Sequence, residues 1–257
     1  MAIDRFALYE RAVQCPEHEV RLFERVFRAR RGYTPTLLRE DFAGTGAVAA
    51  AWVASAPDRI AFAVDHEECC LAWGRDRHGE LLSREERGRL SYVCADVRSL
   101  AQQPVDIIAA ENFSWCVFHE RASLRTYLEV AHANLTSEGA LFLDVQGGPA
   151  TQREGVTEER QFDDFVMRWQ HERFDPLTHR VRFRMHFRQG DKVLEDAFLY
   201  DWRLWTLPEV TELCYEAGFS VVEVWWQDDR ARSAGQYRKI TEAPAAELWV
   251  AYVVAFR

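Results

Sequence analysis

The sequence predicts an α/β fold: a doubly wound, mostly parallel sheet with a β-rich insertion past the middle of the chain. Three observations carry this. Short apolar runs at residues 36–38, 60–65, 90–95, 105–111 and 140–145 alternate with helix-forming stretches. Such alternation builds a parallel sheet with helices on both faces. Carboxylates stand at or just past the ends of the first four runs, as Glu40 and Asp41, Asp65, Asp96 and Glu111. Beyond residue 150 the pattern switches to period-two alternation, which marks antiparallel strands.

The elements follow in order. Residues 6–30 recur at helical spacing (Phe6, Tyr9, Val13, then Val20, Leu22, Phe23, Val26, Phe27), with Pro16 starting a new turn and Gly32 a stop. The first strand runs into Glu40-Asp41-Phe42-Ala43-Gly44-Thr45-Gly46 and then into an alanine-rich helix. Strand, tight turn and helix form the unit that holds nucleotide-like ligands at the carboxyl edge of a parallel sheet. The second strand ends at Asp65-His66 and a helix follows through Trp73; the third is followed by Asp96-Val97; the fourth ends at Glu111-Asn112-Phe113-Ser114-Trp115. A helix with Leu124, Tyr127, Leu128, Ala131 and Leu135 leads to the fifth strand. Residues 151–161 read as a loop or a short helix. In residues 162–205 Val181, Phe183, Met185 and Phe187 interleave with Arg180, Arg182, Arg184, His186 and Arg188, a strand with one apolar and one basic face. Cross-strand acids such as Glu195 and Asp201 are expected to pair with that basic face. Thr206 and Glu209 form a capping box for the next helix, and 219–226 and 247–256 are the last two strands, joined by a polar loop over 227–244 in which Gln236 and Tyr237 approach the site.

The 257 residues are 48% hydrophobic, with nine Trp and sixteen Phe, enough core for one large domain. That domain divides into a helical cap (1–35), a cofactor-binding core (36–150), the insertion or lid (151–205) and a C-terminal part of the core (206–257). A net charge of −9 does not suggest a nucleic-acid partner. No apolar run approaches the ~18 residues of a membrane span, and the N-terminus lacks an apolar signal core. Six Cys without a Cys-x-x-Cys pair predict reduced thiols, a cytoplasmic location and no metal. The vicinal Cys69 and Cys70 read as residues of a packed helix.

Gly44-x-Gly46-x-x-Ala49, with Asp65 about 20 residues on, also matches a dinucleotide fingerprint. The acids argue the other way, because Glu40 and Asp41 would meet a pyrophosphate with like charge and attract a cation. At these residues the chain resembles the class I S-adenosylmethionine-dependent methyltransferases, whose motif I pairs an acidic strand end with a Gly-x-Gly turn. Phe42 stands where that family usually has its first glycine. The resemblance extends to Asp65, at the ribose position, and to Asp96 and Val97, at the adenine position. It continues in the C-terminal phrase Arg203-x-Trp205-Thr206-x-x-Glu209-Val210. It implies a Rossmann-like sheet of seven strands with the last inserted antiparallel, S-adenosyl-L-methionine as cofactor, and methyl transfer to N or O of a small molecule.

On this reading the cofactor contacts are Tyr9, Glu40, Phe42, Gly44, Gly46, Asp65, His66, Asp96, Val97 and Asn112, with Gln14 beside Tyr9. The substrate contacts are Phe113, Trp115, His119, Tyr200, Trp202 and Arg203. Asp65 has an alternative role as a helix N-cap. His119, Glu111 and Tyr200 are the candidates for a base. The absence of an Asn-Pro-Pro-Tyr run after the fourth strand argues against nucleic-acid base or glutamine methylation. Two other functions remain open, a nicotinamide-dependent oxidoreductase and a non-catalytic protein that keeps the cofactor.

Overall fold

In the computed structural model, which describes residues 3–99, 101, 103–228 and 236–257, two helices precede the first strand. α1 (Arg5–Val13) is capped by the Asp4 carboxylate, which accepts from the Phe6 and Ala7 N–H groups. α2 (Pro16–Arg31) begins on a proline and ends on Gly32 in the left-handed region. The sheet and its helices then follow as β1 (Leu37–Asp41), α3 (Ala47–Ser55), β2 (Ile60–Asp65), α4 (Glu68–Leu81), α5 (Arg84–Arg87), β3 (Leu90–Cys94), β4 (Val105–Ala110), α6 (Arg121–Asn134) and β5 (Leu135–Gly147). The insertion is β6 (Thr157–Gln161), β7 (Val166–Asp175), β8 (Arg180–Gln189) and β9 (Lys192–Arg203). The chain closes with α7 (Leu207–Glu216), β10 (Val221–Gln227), β11 (Tyr237–Ile240) and β12 (Trp249–Phe256).

The main sheet has the order β11-β10-β12-β5-β4-β1-β2-β3. β1 to β5 pair in parallel, and β12 lies antiparallel between β5 and β10. Seven of these strands are the expected set. The eighth, β11, arises within the stretch expected as a polar loop, of which residues 229–235 lie outside the described residues. It pairs antiparallel with β10, and Lys239 reaches Glu223 at 2.7 Å. β6 to β9 form a separate four-stranded antiparallel sheet. β6 replaces part of the expected loop at 151–161; its five residues are all exposed on an edge, so no apolar alternation betrays the strand. The basic face of β8 is paired as expected, Arg180 and Arg182 with Asp201, Arg184 with Glu172 and Asp196, and His186 with Glu195, which also pairs with Arg168.

Two cores flank the main sheet. On one face α2 and α3 bury Phe23, Phe27, Val48 and Trp52 against Leu38, Ala61, Ile107 and Phe142. On the other, α6 and α7 bury Leu124, Tyr127, Val210 and Leu213 against Ile108, Leu141, Leu143 and Val253. α1 belongs to neither: Leu8 packs with Phe165, Met185 and Phe187 of the insertion, so the first helix and the inserted sheet make a third layer. The strand–helix alternation fails once. No helix occurs among the described residues between β3 and β4, and this face of β2 and β3 stays open at Phe62 and Val93, the latter 37% exposed. α4 runs past its expected end at Trp73 because Gly74 lets it touch the turn after β1; a Cβ there would sit 1.8 Å from the Thr45 carbonyl oxygen. Cys69 and Cys70 open this helix, one exposed and one half-buried.

Candidate functional site

β4, β1, β2 and β3 are neighbours and parallel, so their carboxyl ends share one edge. The loops leaving that edge are held in left-handed backbone at Phe42, Gly44 and Gly46 after β1 and at Asn112 and Phe113 after β4. For a residue with a Cβ this conformation costs on the order of 1–2 kcal/mol, and such strain gathers at functional sites. Phe42 keeps the backbone shape a glycine would give, and its ring is fixed edge-on to Phe118 and Tyr127. Gly46 is required twice, by its φ of 73° and because a Cβ would meet Tyr92 Cε1 at 2.9 Å and Ala63 Cβ at 3.0 Å.

The adjacent acids Glu40 and Asp41 point to opposite faces, as strand geometry demands. Glu40, 3% exposed, accepts from the Ala49 N–H at 2.8 Å in the first turn of α3, and burial pushes its carboxyl up to about 8. Asp41 faces α6. It accepts from Arg39 Nε at 2.6 Å and from the Tyr127 hydroxyl at 3.1 Å, and Arg39 also donates to the Val97 and Ser99 carbonyls. Burial raises Asp41 to about 6 against the pull of the guanidinium.

Asp65 spans two turns: one oxygen accepts from the Gly44 N–H at 2.8 Å and the other from the Glu67 N–H at 2.9 Å. His66 beside it is exposed. Asp96 is bound by Arg98 at 2.6 Å and held down at about 2 by that partner, while Val97 is buried. α1 is tied across the turn, for Glu10 accepts from the Thr45 hydroxyl at 2.5 Å and lies 3.1 Å from His78 of α4.

A second group of acids lies between α2 and the ends of β4 and β5. Glu111, 4% exposed, accepts from the Tyr252 hydroxyl through one oxygen, and its other oxygen has no partner. Glu19, 8% exposed, likewise has one oxygen without a partner, as has Gln14. Asp144 accepts from the Phe113 N–H at 2.9 Å. Burial raises Glu19 to about 7, Asp144 to about 8 and Glu111 well above its ordinary range, and their mutual repulsion adds to this at Asp144 and Glu111. Orphaned buried acceptors suit a cationic ligand and oppose a pyrophosphate, and the close turn at Gly46 leaves room for one, so these residues fit S-adenosylmethionine.

Beside this edge a cavity of about 230 Å³ opens between α1, the loop after β4 and the inner face of the inserted sheet. Tyr9, Asn112 and Phe113 line one side, and Trp169, Phe183, Tyr200 and Trp202 the other. The four insertion rings contact one another with centroids 4.7–6.3 Å apart. His171 and Glu158 stand in the same wall, with 3.9 Å between Nε2 and Oε1, and burial lowers the His171 imidazole.

Of the expected substrate residues, Phe113, Tyr200 and Trp202 meet in this cavity. The other three do not. Trp115 is fully buried and donates to the Asp144 carbonyl at 2.8 Å. His119 and Arg203 lie in a separate depression with Thr206 and Glu209. There His119 contacts the Asp201 carbonyl at 2.8 Å, and Arg203 bonds Glu209 at 2.9 Å and stacks on Trp205. These partners hold both side chains in that depression, outside the aromatic cavity. Tyr237 sits on β11 against Tyr252, within electrostatic reach of Asp144 and Glu111. Trp169, His171, Glu158 and Glu19 escaped the sequence reading; the register Trp169↔Met185 and Phe183↔Tyr200 that brings the wall together is not written locally.

Among the described residues no group of three or more His, Cys, Asp or Glu side chains is arranged for a metal ion, and no helix is long and apolar enough to cross a membrane.

No protein-family model and no curated protein matches the chain by sequence. Solved structures match it closely in shape. An S-adenosylmethionine-dependent methyltransferase from Clostridium acetobutylicum superposes with a TM-score of 0.70 at 13% identity, covering 96% of both chains. A sugar N-methyltransferase from Streptoalloteichus gives 0.68 at 18%, covering 100% of this chain and 94% of the other. An amino pentose methyltransferase from Micromonospora echinaspora, solved with S-adenosylmethionine bound, gives 0.67 at 15% over 98% of each. The chain therefore has the fold of the S-adenosylmethionine-dependent methyltransferases.

Proposed function

We propose that the protein is an S-adenosylmethionine-dependent methyltransferase acting on nitrogen or oxygen of a small molecule. The observation that carries this reading is the aromatic cavity joined to the strained sheet edge at Asn112 and Phe113, which supports a small acceptor bound next to a cofactor at that edge. The bound cofactor supplies a methyl group already activated by its sulfonium. The chain supplies alignment and a dry wall, and alignment alone can remove a large part of the barrier to such a displacement. Gly44 and Gly46 give close approach, Asp65 takes the ribose hydroxyls, Asp96 and Val97 flank the adenine with His66, and Tyr9 closes the site from α1. The four insertion rings hold the body of the acceptor and exclude water. The structural neighbours described as sugar and amino pentose methyltransferases support an acceptor of that size.

The test is calorimetric titration with S-adenosylmethionine and S-adenosylhomocysteine, with Asp65→Ala as the control. Micromolar binding, lost in the variant, is expected, with no binding of NAD. Absence of binding to the wild type, or binding of NAD instead, would sink the reading.

A further inference from the structure

We propose that Glu19 and Glu111 form a buried receptor for an organic ammonium group, the amino-acid end of the cofactor, and that filling it expels a proton from the protein. The inference rests on the cofactor reading above and goes beyond it.

Two elements distant in sequence, α2 and the end of β4, each deliver a carboxylate more than nine-tenths buried with one oxygen that meets no donor. Buried polar atoms are nearly always satisfied, so each such atom calls for a partner. Gln14, at the junction of α1 and α2, adds a third unpartnered oxygen. An alkylammonium carries three donors and no acceptor. The two lone carboxylate oxygens of Glu19 and Glu111, within electrostatic reach of each other, match that inventory, whereas a phosphate does not.

The surroundings decide the protonation state. Facing the pair are Glu40 from β1, Asp144 from β5, Tyr9 from α1, Tyr237 from β11 and Tyr252 from β12, with Cys15 just before α2 and Glu17 two residues earlier than Glu19 on α2 itself. Among the described residues no Lys or Arg is paired with Glu19, Glu111 or Asp144 in a salt bridge or side-chain hydrogen bond. Without a counter-cation, burial and like charge keep protons on this group at neutral pH: Glu19 is raised to about 7 and Asp144 to about 8. An entering ammonium favours the ionised form, so a proton must leave to solvent. Affinity then rises with pH, by up to about tenfold per unit between roughly pH 6 and 8, for each proton released.

The experiment is calorimetry of S-adenosylhomocysteine binding near pH 6, 7 and 8 in two buffers of different ionisation enthalpy. 5′-Methylthioadenosine serves as the second probe, because it keeps the nucleoside and thioether and lacks the ammonium and carboxylate. The expected result is release of about one proton and tighter binding at higher pH for S-adenosylhomocysteine, with neither effect for methylthioadenosine. Glu111→Gln and Glu19→Gln should weaken the first ligand about tenfold or more and leave the second unchanged. Binding of S-adenosylhomocysteine without proton release, or equal proton release with both ligands, overturns this inference and leaves the cofactor reading standing. Failure of both ligands to bind overturns the two together. The wild-type measurement decides the matter even where a variant does not fold.

Discussion

Glu40 and Asp41 open onto two buried polar regions that differ in one respect. On the α6 side Asp41, Arg39, Tyr127 and the Val97 and Ser99 carbonyls form a closed network in which the guanidinium and both carboxylate oxygens have partners. On the α2 side Glu19 and Glu111 are just as buried and keep oxygens without donors. Burial of charge is common to both. What separates the two acid groups is the missing partner, because a folded chain rarely leaves a buried carboxylate oxygen unsatisfied.

The largest effect should come from opening the closed network. Arg39→Met strands Asp41 beside two bare carbonyls, and removal of one member of a buried ion pair costs about 3–5 kcal/mol. Urea unfolding of the variant should show that loss. Glu111→Gln, by contrast, replaces an acid whose neutral form is favoured by burial with a neutral isostere that still accepts from Tyr252, and should cost less, on the order of 1 kcal/mol, in the ligand-free protein. Equal costs for the two substitutions would erase the distinction drawn between the regions.

The second contrast is with pH. Glu19, Asp144 and Glu40 are raised in the folded state to about 7, 8 and 8, above the roughly 4 of an unfolded chain. A raised carboxyl contributes stability that is complete below the unfolded value and is lost as pH climbs through the folded one. The ligand-free protein should therefore weaken between about pH 5 and 8, with a slope of up to about 1.4 kcal/mol per unit for each acid that still holds its proton. Unfolding curves at three pH values measure the slope; Glu19→Gln should flatten it, and so should saturating S-adenosylhomocysteine. A stability that rises over this interval would mean that the acids are ionised and compensated in the free protein.

The turn was legible in the sequence, and the closed network around Asp41 and the receptor were not, for a physical reason. Two strands, a Gly-x-Gly turn and a helix lie within about 30 consecutive residues, so Glu40, Gly44, Gly46 and Asp65 stand out through local pattern. The order of the strands follows from alternation and right-handed crossovers. Glu19 looks like any acid in the first turn of an amphipathic helix, and only the packing of α2 over β4 and β5 buries it. Trp169 and His171 depend on the register of β7 against β8, which no local signal specifies. His119 and Arg203 stand near the site in the sequence, one in the loop after β4 and the other at the end of β9, yet contacts with Asp201 and Glu209 hold them in a separate depression. Missing alternation hid β6, since an edge strand exposed on both faces carries no period.

The smallest effect is the sharpest probe of closure. Tyr127→Phe removes one hydroxyl, the donor to Asp41 Oδ2 at 3.1 Å, and leaves the ring packed against Phe42 and Phe118. Arg39 still holds the other oxygen. One unsatisfied carboxylate oxygen in a buried site should cost about 1–2 kcal/mol, a fraction of the Arg39→Met loss. Because this face is turned away from Glu40 and the acids beyond it, S-adenosylhomocysteine affinity should stay within about twofold of wild type, even though Phe42 links the two sides. If the variant lost stability and affinity together, the left-handed turn at Phe42 would be held by the Asp41 network, and the two regions would be one cooperative unit across the sheet.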